Sequence, residues 1–222
     1  MDYKTQIEDI IGAVGDDALI SKSLTNAGSK IIEAARIEKL IEASKSTDFT
    51  SSGYDVSDKK VIEVSKSGYV ARFISAGSSA RAADSGSIYF AATRDPVFYY
   101  KGEKVFISDH SGATSWTCIY VPKIPTYDGA SAIDHSSTAV ANFPLEGEPL
   151  MVLGASILCL QRLISDKLSQ LKTYTQTDED VELAQAEMLE VQGQQSLLTS
   201  LKTEYDQAHQ LYMGTTNWSK II

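Results

Sequence analysis

The chain has 222 residues, 43% of them hydrophobic, and a formal net charge of −9. That length suits one large domain or two small ones. The polar start "MDYK" gives no secretory signal, and no apolar run approaches the ~20 residues of a membrane span. An acidic balance argues against gripping nucleic acid by neutralising phosphates, and no Lys/Arg cluster interleaved with aromatic residues occurs along the sequence.

From Leu145 onward there are 11 acids against 5 bases, or −6, which leaves −3 for the first 144 residues. The two cysteines, Cys118 and Cys159, both stand in apolar surroundings. The expectation is two buried free thiols in a reducing compartment rather than a disulfide.

In chain order, Ile7, Ile10, Ile11 and Val14 fall on the stripe of a short amphipathic helix that Gly15 should end. Asp16 or Asp17 can cap a second helix, whose apolar positions Ile20, Leu24, Ala27, Ile31, Ala34 and Ile41 predict a run to about Ser44. "SKSTDFTSSG" has no periodicity and reads as a surface loop. Over 60–121 the period changes to two. Val61, Ile62 and Val64 predict a strand, Gly68 a turn, then "YVARFI" and "SIYF" two more strands around the small-residue loop "SAGSSARAADSG". "RDPVFYYKGEKVFI" is a hairpin with a Gly-containing turn at Gly102. "SWTCIYV" completes about six strands, whose short connections favour one antiparallel sheet. Residues 122–142, with Pro122 and Pro125, form a long loop of the kind that is usually functional or ordered by a partner.

Leu150, Leu153, Ile157, Leu160, Ile164, Leu168 and Leu171 then step by three and four, with Met151, Val152 and Leu158 as a second apolar face. A helix so apolar must be covered on more than one side. Thr177 followed by Asp178, Glu179 and Asp180 opens a last long helix through Val181, Met188, Leu201 and Tyr212, with Gly193 as its weak point. The short connection makes an antiparallel helical hairpin. The expected fold is α+β: mainly helical, with a long C-terminal antiparallel hairpin and a small antiparallel sheet inserted between N- and C-terminal helices. The expected divisions are 1–45 for helices packing on that hairpin, 46–144 for the β region, 145–213 for the hairpin and 214–222 for an extended tail.

No motif carries catalysis, and the expectation is a protein that is not an enzyme and needs no cofactor or metal. His110, His135 and His209 lack metal-ligand spacings. Asp109-His110-Ser111 names the members of a hydrolase triad, but adjacent side chains point apart and cannot bond in series. Asp178-Glu179-Asp180 reads as a helix start rather than a cation site. No phosphate loop, nucleophile elbow or dinucleotide fingerprint occurs. Of the aromatic residues between Tyr89 and Tyr120, half are expected as the core face of the sheet. The others, rich in Tyr, suit a contact surface for protein or for carbohydrate. The candidate contact residues are Phe98, Tyr99, Tyr100, Lys101 and Glu103 on the hairpin, with Trp218, Ile221 and Ile222 in the tail. A frayed terminus is the alternative for the tail.

The order of parts, with the phrases "ARAADSGSIYFAATRDPVFYY" and "ANFPLEGEPLMVLGASILCLQRLISDKL", resembles the head-to-tail connector (adaptor or gatekeeper) proteins of tailed bacteriophages, of marine and cyanobacterial phage type. That resemblance implies a virion protein at the neck, made in the host cytoplasm, in a homo-oligomeric ring of about twelve copies. It implies docking on the phage portal protein above and on a tail tube or nozzle protein below, no membrane, and DNA passing through without specific binding. The 122–142 loop departs from the pattern. Two rivals stand beside it: a tail or baseplate module whose aromatic sheet holds sugar or protein, and a helical scaffold or assembly chaperone outside phages.

Overall fold

A computed structural model describes residues 1–50, 52–108, 115–127, 132–171 and 178–214, and of 178–182 the backbone alone. The chain forms two compact units, one of residues 1–36 with 124–222 and one of residues 37–123.

The helical unit begins with α1 (Tyr3–Ile11), capped by the Asp2 carboxylate, which accepts from the Thr5 N–H at 2.7 Å. It ends at Gly12, not at Gly15. α2 (Asp17–Ala34) starts under the Asp16 carboxylate, which accepts from the Leu19 N–H at 3.0 Å. α2 stops ten residues short of the expected end, where the chain leaves the unit. After the long loop, a 3-10 turn (Leu145–Gly147) leads into α4 (Glu148–Leu171), and α5 (Asp178–Met213) runs unbroken through Gly193. α1, α2 and α5 all pack on α4, so Leu150, Met151, Ala155, Cys159 and Leu160 are buried. With its preceding turn, α4 is long and apolar enough to cross a membrane, but 67% of its most apolar window lies buried in the protein. Its two apolar faces are used up by its neighbours.

The described residues of the loop from 124 on are stitched to this unit rather than trailing from it. The N–H groups of Tyr3 and Lys4 donate to the Ser137 and His135 carbonyls at 3.0 and 2.9 Å. The His135 N–H donates to the Ser21 hydroxyl at 3.0 Å. The loop's return ends in Phe143, buried beside Gly147 and Gly28. A Cβ on Gly147 would stand 3.1 Å from the Phe143 ring, and one on Gly28 would stand 2.7 Å from Pro125. The phrase "NFPLEG" is therefore a packed joint between loop, α2 and α4.

The other unit corrects the expected fold class. It is not a small insert with one antiparallel sheet but a sandwich of two four-stranded sheets, one containing a parallel pair. A short α3 (Ile37–Leu40) and a 3-10 turn lead into β1 (Lys45–Phe49). There follow β2 (Tyr54–Asp55), β3 (Lys59–Lys66), β4 (Tyr69–Val70), β5 (Arg72–Phe73), β6 (Val97–Lys101), β7 (Lys104–Ser108) and β8 (Trp116–Pro122). The sheets are ordered β1-β8-β3-β4 and β2-β7-β6-β5. β8, last in sequence, lies between β1 and β3, and β5 pairs parallel with β6.

Three local expectations change with it. "SKSTDF" holds a strand, because Lys45–Phe49 pairs residue for residue with Tyr120–Trp116. "YVARFI" is two strands, since the chain crosses between sheets at Ala71, whose N–H donates to Val64 at 2.7 Å. "SIYF" is a turn: the Asp84 carboxylate caps it through Gly86, and the Arg72 guanidinium donates to the Ile88 and Phe90 carbonyls.

Side chains alternate, so each sheet sends one face inward. Phe49, Trp116, Cys118 and Val64 meet Val105 and Ile107 in a common core. The outer face of the second sheet is covered by the 3-10 segment Ala76–Ala83, whose Ala82 is buried together with Ile74, Ala91 and Val97.

Candidate functional site

The β6–β7 hairpin holds the predicted contact residues, and its pleat divides them. Val97 pairs with Ser108, Tyr99 with Phe106 and Lys101 with Lys104, while Phe98 and Tyr100 alternate with them opposite Ile107 and Val105. Tyr99 stacks on Phe106 with ring centroids 5.7 Å apart and packs against the covered outer face. Phe98 and Tyr100 turn to the inner face, where Phe73 from β5 completes a cluster. The Phe73–Phe98, Phe73–Tyr100 and Phe98–Tyr100 centroids are 5.5, 5.9 and 5.9 Å apart. Phe98 is half-buried, but Phe73 is 57% and Tyr100 39% exposed. The sandwich core therefore opens at this edge into an aromatic surface. Phe73 is the member that sequence missed, since "YVARFI" reads as one ordinary strand.

Lys101 and Glu103 are exposed at the tip, where Gly102 takes a positive φ of 61°. The Glu103 carbonyl accepts from the Val56 N–H at 2.8 Å, which ties the tip to the end of β2. Beneath the tip is a hollow of about 430 Å³ lined by Lys59, Lys60, Lys123, Tyr100, Gly102 and Glu103, among others. Lys59 pairs with Asp58, and its ammonium lies 5.4 and 5.6 Å from the Tyr54 and Tyr120 ring centres. Lys123 donates to the Ser57 carbonyl at 2.9 Å. Burial, with the Tyr120 hydroxyl beside it, pushes Tyr54 up to about 12. Burial pushes the Cys118 thiol up to about 11. Lys59 and Lys60 stand some sixty residues before Lys123, so only the folded chain brings these basic and aromatic groups together.

The helical unit offers two further constellations. Ala27, Gly154, Ile157 and Tyr205 line a cavity of about 320 Å³ together with Lys30, Lys202 and Asp206. His135 places Nδ1 2.9 Å from Asp134 and Nε2 3.4 Å from Asp17, while Lys4 donates to Asp17 at 2.7 Å. The Lys4 bond, aided by His135, holds the Asp17 carboxyl below the usual carboxylate range. Among the described residues no group of three His, Cys, Asp or Glu side chains could hold a metal ion. Trp218, Ile221 and Ile222, and likewise Asp109, His110 and Ser111, lie outside the described residues. So do Thr177 and the side chains of Asp178, Glu179 and Asp180. The chain matches no protein-family model, and no curated protein matches it in sequence.

Proposed function

We propose that this is a structural virion protein, a head-to-tail adaptor whose copies ring the channel between a phage portal and a tail protein. The observation that carries the reading is that both phrases behind the resemblance contribute buried residues to the packing of their units. "NFPLEG" makes the packed joint that starts α4. "ARAADSGSIYFAATRDPVFYY" supplies the covered outer face of the second sheet and then β6. Ala82, Ala91 and Val97 of that phrase are buried. An adaptor needs a rigid helical body, a contact surface and an acidic balance past which DNA slides. The aromatic edge of Phe73, Phe98 and Tyr100 is the contact surface that we assign to a neighbouring virion protein.

The same edge supports the second reading, a tail or baseplate module that lays sugar rings on exposed aromatic faces. Antibody labelling of purified virions separates the two. Label confined to the neck, with rings formed when purified portal is added, is the expected result. Label along the tail fibres or baseplate overturns the adaptor reading in favour of the module.

A further inference from the structure

Residues 37–123 hold 11 Lys and Arg against 10 Asp and Glu, so subtraction from 20 and 29 leaves the helical unit 9 against 19. With carboxylates in such surplus, pairing is the ordinary fate of a base there. Among the described bases of this unit, Lys4, Arg162 and Lys167 each pair with a carboxylate, and Arg36 donates to the Gly214 carbonyl. Lys22, Lys30 and Lys202 make no ion pair or hydrogen bond with a described residue. Two of those three, Lys30 and Lys202, line the same cavity of about 320 Å³.

Three helices build that cavity. Lys30 comes from α2, Gly154 and Ile157 from α4, and Lys202, Tyr205 and Asp206 from α5. Steps of three and four residues hold the α4 pair and the α5 trio each on one side of its helix. Gly154 marks where the helices close in, since a Cβ there would stand 3.1 Å from both the Ala27 Cβ and the Tyr205 ring. Gly154 and Ile157 are buried and Tyr205 is half-buried, whereas Lys30, Lys202 and Asp206 are exposed. The lining is thus apolar where it is buried and charged where it meets water. Sites for small molecules have this make-up, an apolar lining with a few polar groups that fix orientation.

We propose that the cavity binds a small apolar carboxylate, with its hydrocarbon part against Gly154 and Ile157 and its charged end between Lys30 and Lys202. At a water's share of ~30 Å³ there is room for about ten non-hydrogen atoms, as in octanoate, and none for a diacyl lipid. Two ammoniums and the Asp206 carboxylate sum to +1, which suits a monoanion better than a phosphate dianion. Tyr205 adds a hydroxyl that burial, with Asp206 beside it, keeps protonated. Lysine stems are themselves apolar and lie readily along a bound chain. The site stands apart from the adaptor reading, and neither result of neck labelling bears on it.

The test titrates the isotopically labelled full chain with sodium octanoate and follows its backbone amides by NMR. Expected is a saturable shift centred on residues 154–158 and 202–206, with a Kd of about 0.1–1 mM, ordinary for a ligand of about ten atoms. Octanol, with the same chain and no charge, should bind about fivefold more weakly, and octylammonium more weakly still. Lys30→Gln with Lys202→Gln should weaken octanoate about fivefold and leave octanol unchanged, whereas Asp206→Asn should tighten octanoate about twofold. All three positions are exposed, so circular dichroism should not change. No saturation by about 10 mM octanoate, or shifts centred elsewhere, would overturn the proposal. So would octanol or octylammonium binding as tightly as octanoate, or octanoate binding unaltered in the double lysine variant.

Discussion

Tyr99 and Tyr100 are neighbours in sequence with opposite fates, because the pleat of β6 turns them to opposite faces. Tyr99 is half-buried against Phe106 and the covered outer face, whereas Tyr100 is 39% exposed beside Phe73. Aromatic truncation costs ~3–5 kcal/mol in a full core, so for half-buried Tyr99→Ala we expect a loss of about 1–3 kcal/mol in urea unfolding. Tyr100→Ser with Phe73→Ser should change stability by less than about 1 kcal/mol, as substitutions at exposed positions generally do. That pair should instead abolish attachment of the protein to its virion partner in reconstitution. Normal attachment by the Phe73/Tyr100 double variant would remove the contact role of this edge.

At the scale of elements, helices with a clear 3.6-residue stripe were legible, and strands set by distant partners were not. α4 announces itself through Leu150 to Leu171, and the hairpin through Gly102 between two aromatic runs. β1 does not, because "KSTDF" buries only Phe49 and owes its extended form to pairing with β8 some seventy residues later. The turn at 87–90 misleads in the opposite direction: "SIYF" has strand-like residues, but Arg72 and Asp84 take up its backbone groups. The lysine hollow was illegible for the same reason, since Lys59 and Lys123 converge only through the β3–β8 ladder, where Lys59 stands opposite Pro122. Two substitutions test the helical packing. Leu160 is fully buried where α4 is covered on several sides, so Leu160→Ala should cost about 2–5 kcal/mol. An unchanged melting temperature would show that this face of α4 is not core. Gly28 lies inside α2, where Ala is intrinsically better by ~1 kcal/mol. Here the added Cβ would meet Pro125 at 2.7 Å and the Met151 sulfur at 3.2 Å. A proline ring cannot swing aside, so overpacking at about 1–3 kcal/mol should outweigh the propensity gain. A more stable Gly28→Ala protein would mean that the 122–142 loop is not seated on α2.

Across the whole molecule, acid stability follows from carboxylates placed in both units. Asp2 and Asp134 are held below the ordinary carboxylate range by bonds from Thr5 and Ser136, and Asp17 by the bond from Lys4. In the β unit Asp55 is held down by Ser57. A carboxyl depressed by folding binds its proton more weakly in the native than in the unfolded chain. Its contribution is therefore full above the unfolded value of ~3.9 and is lost as pH falls through the lower folded value. The net charge of −9 works the other way, since self-repulsion weakens as the chain approaches its isoelectric point near 4.8. Burial raises Glu148 and so also favours mild acid. Between pH 7 and about 5 the relief of repulsion should hold stability level or raise it. Below about pH 4 the four aspartates lose their bonds together and the urea midpoint should drop steeply. Added salt should lift the midpoint at pH 7 by screening like charges and do little near the isoelectric point. Asp17→Asn with Asp55→Asn should flatten the acid limb while leaving the salt response at pH 7 in place. A midpoint that falls steadily from pH 7 to 5, or an acid limb unchanged in that double variant, would show that other groups govern acid unfolding.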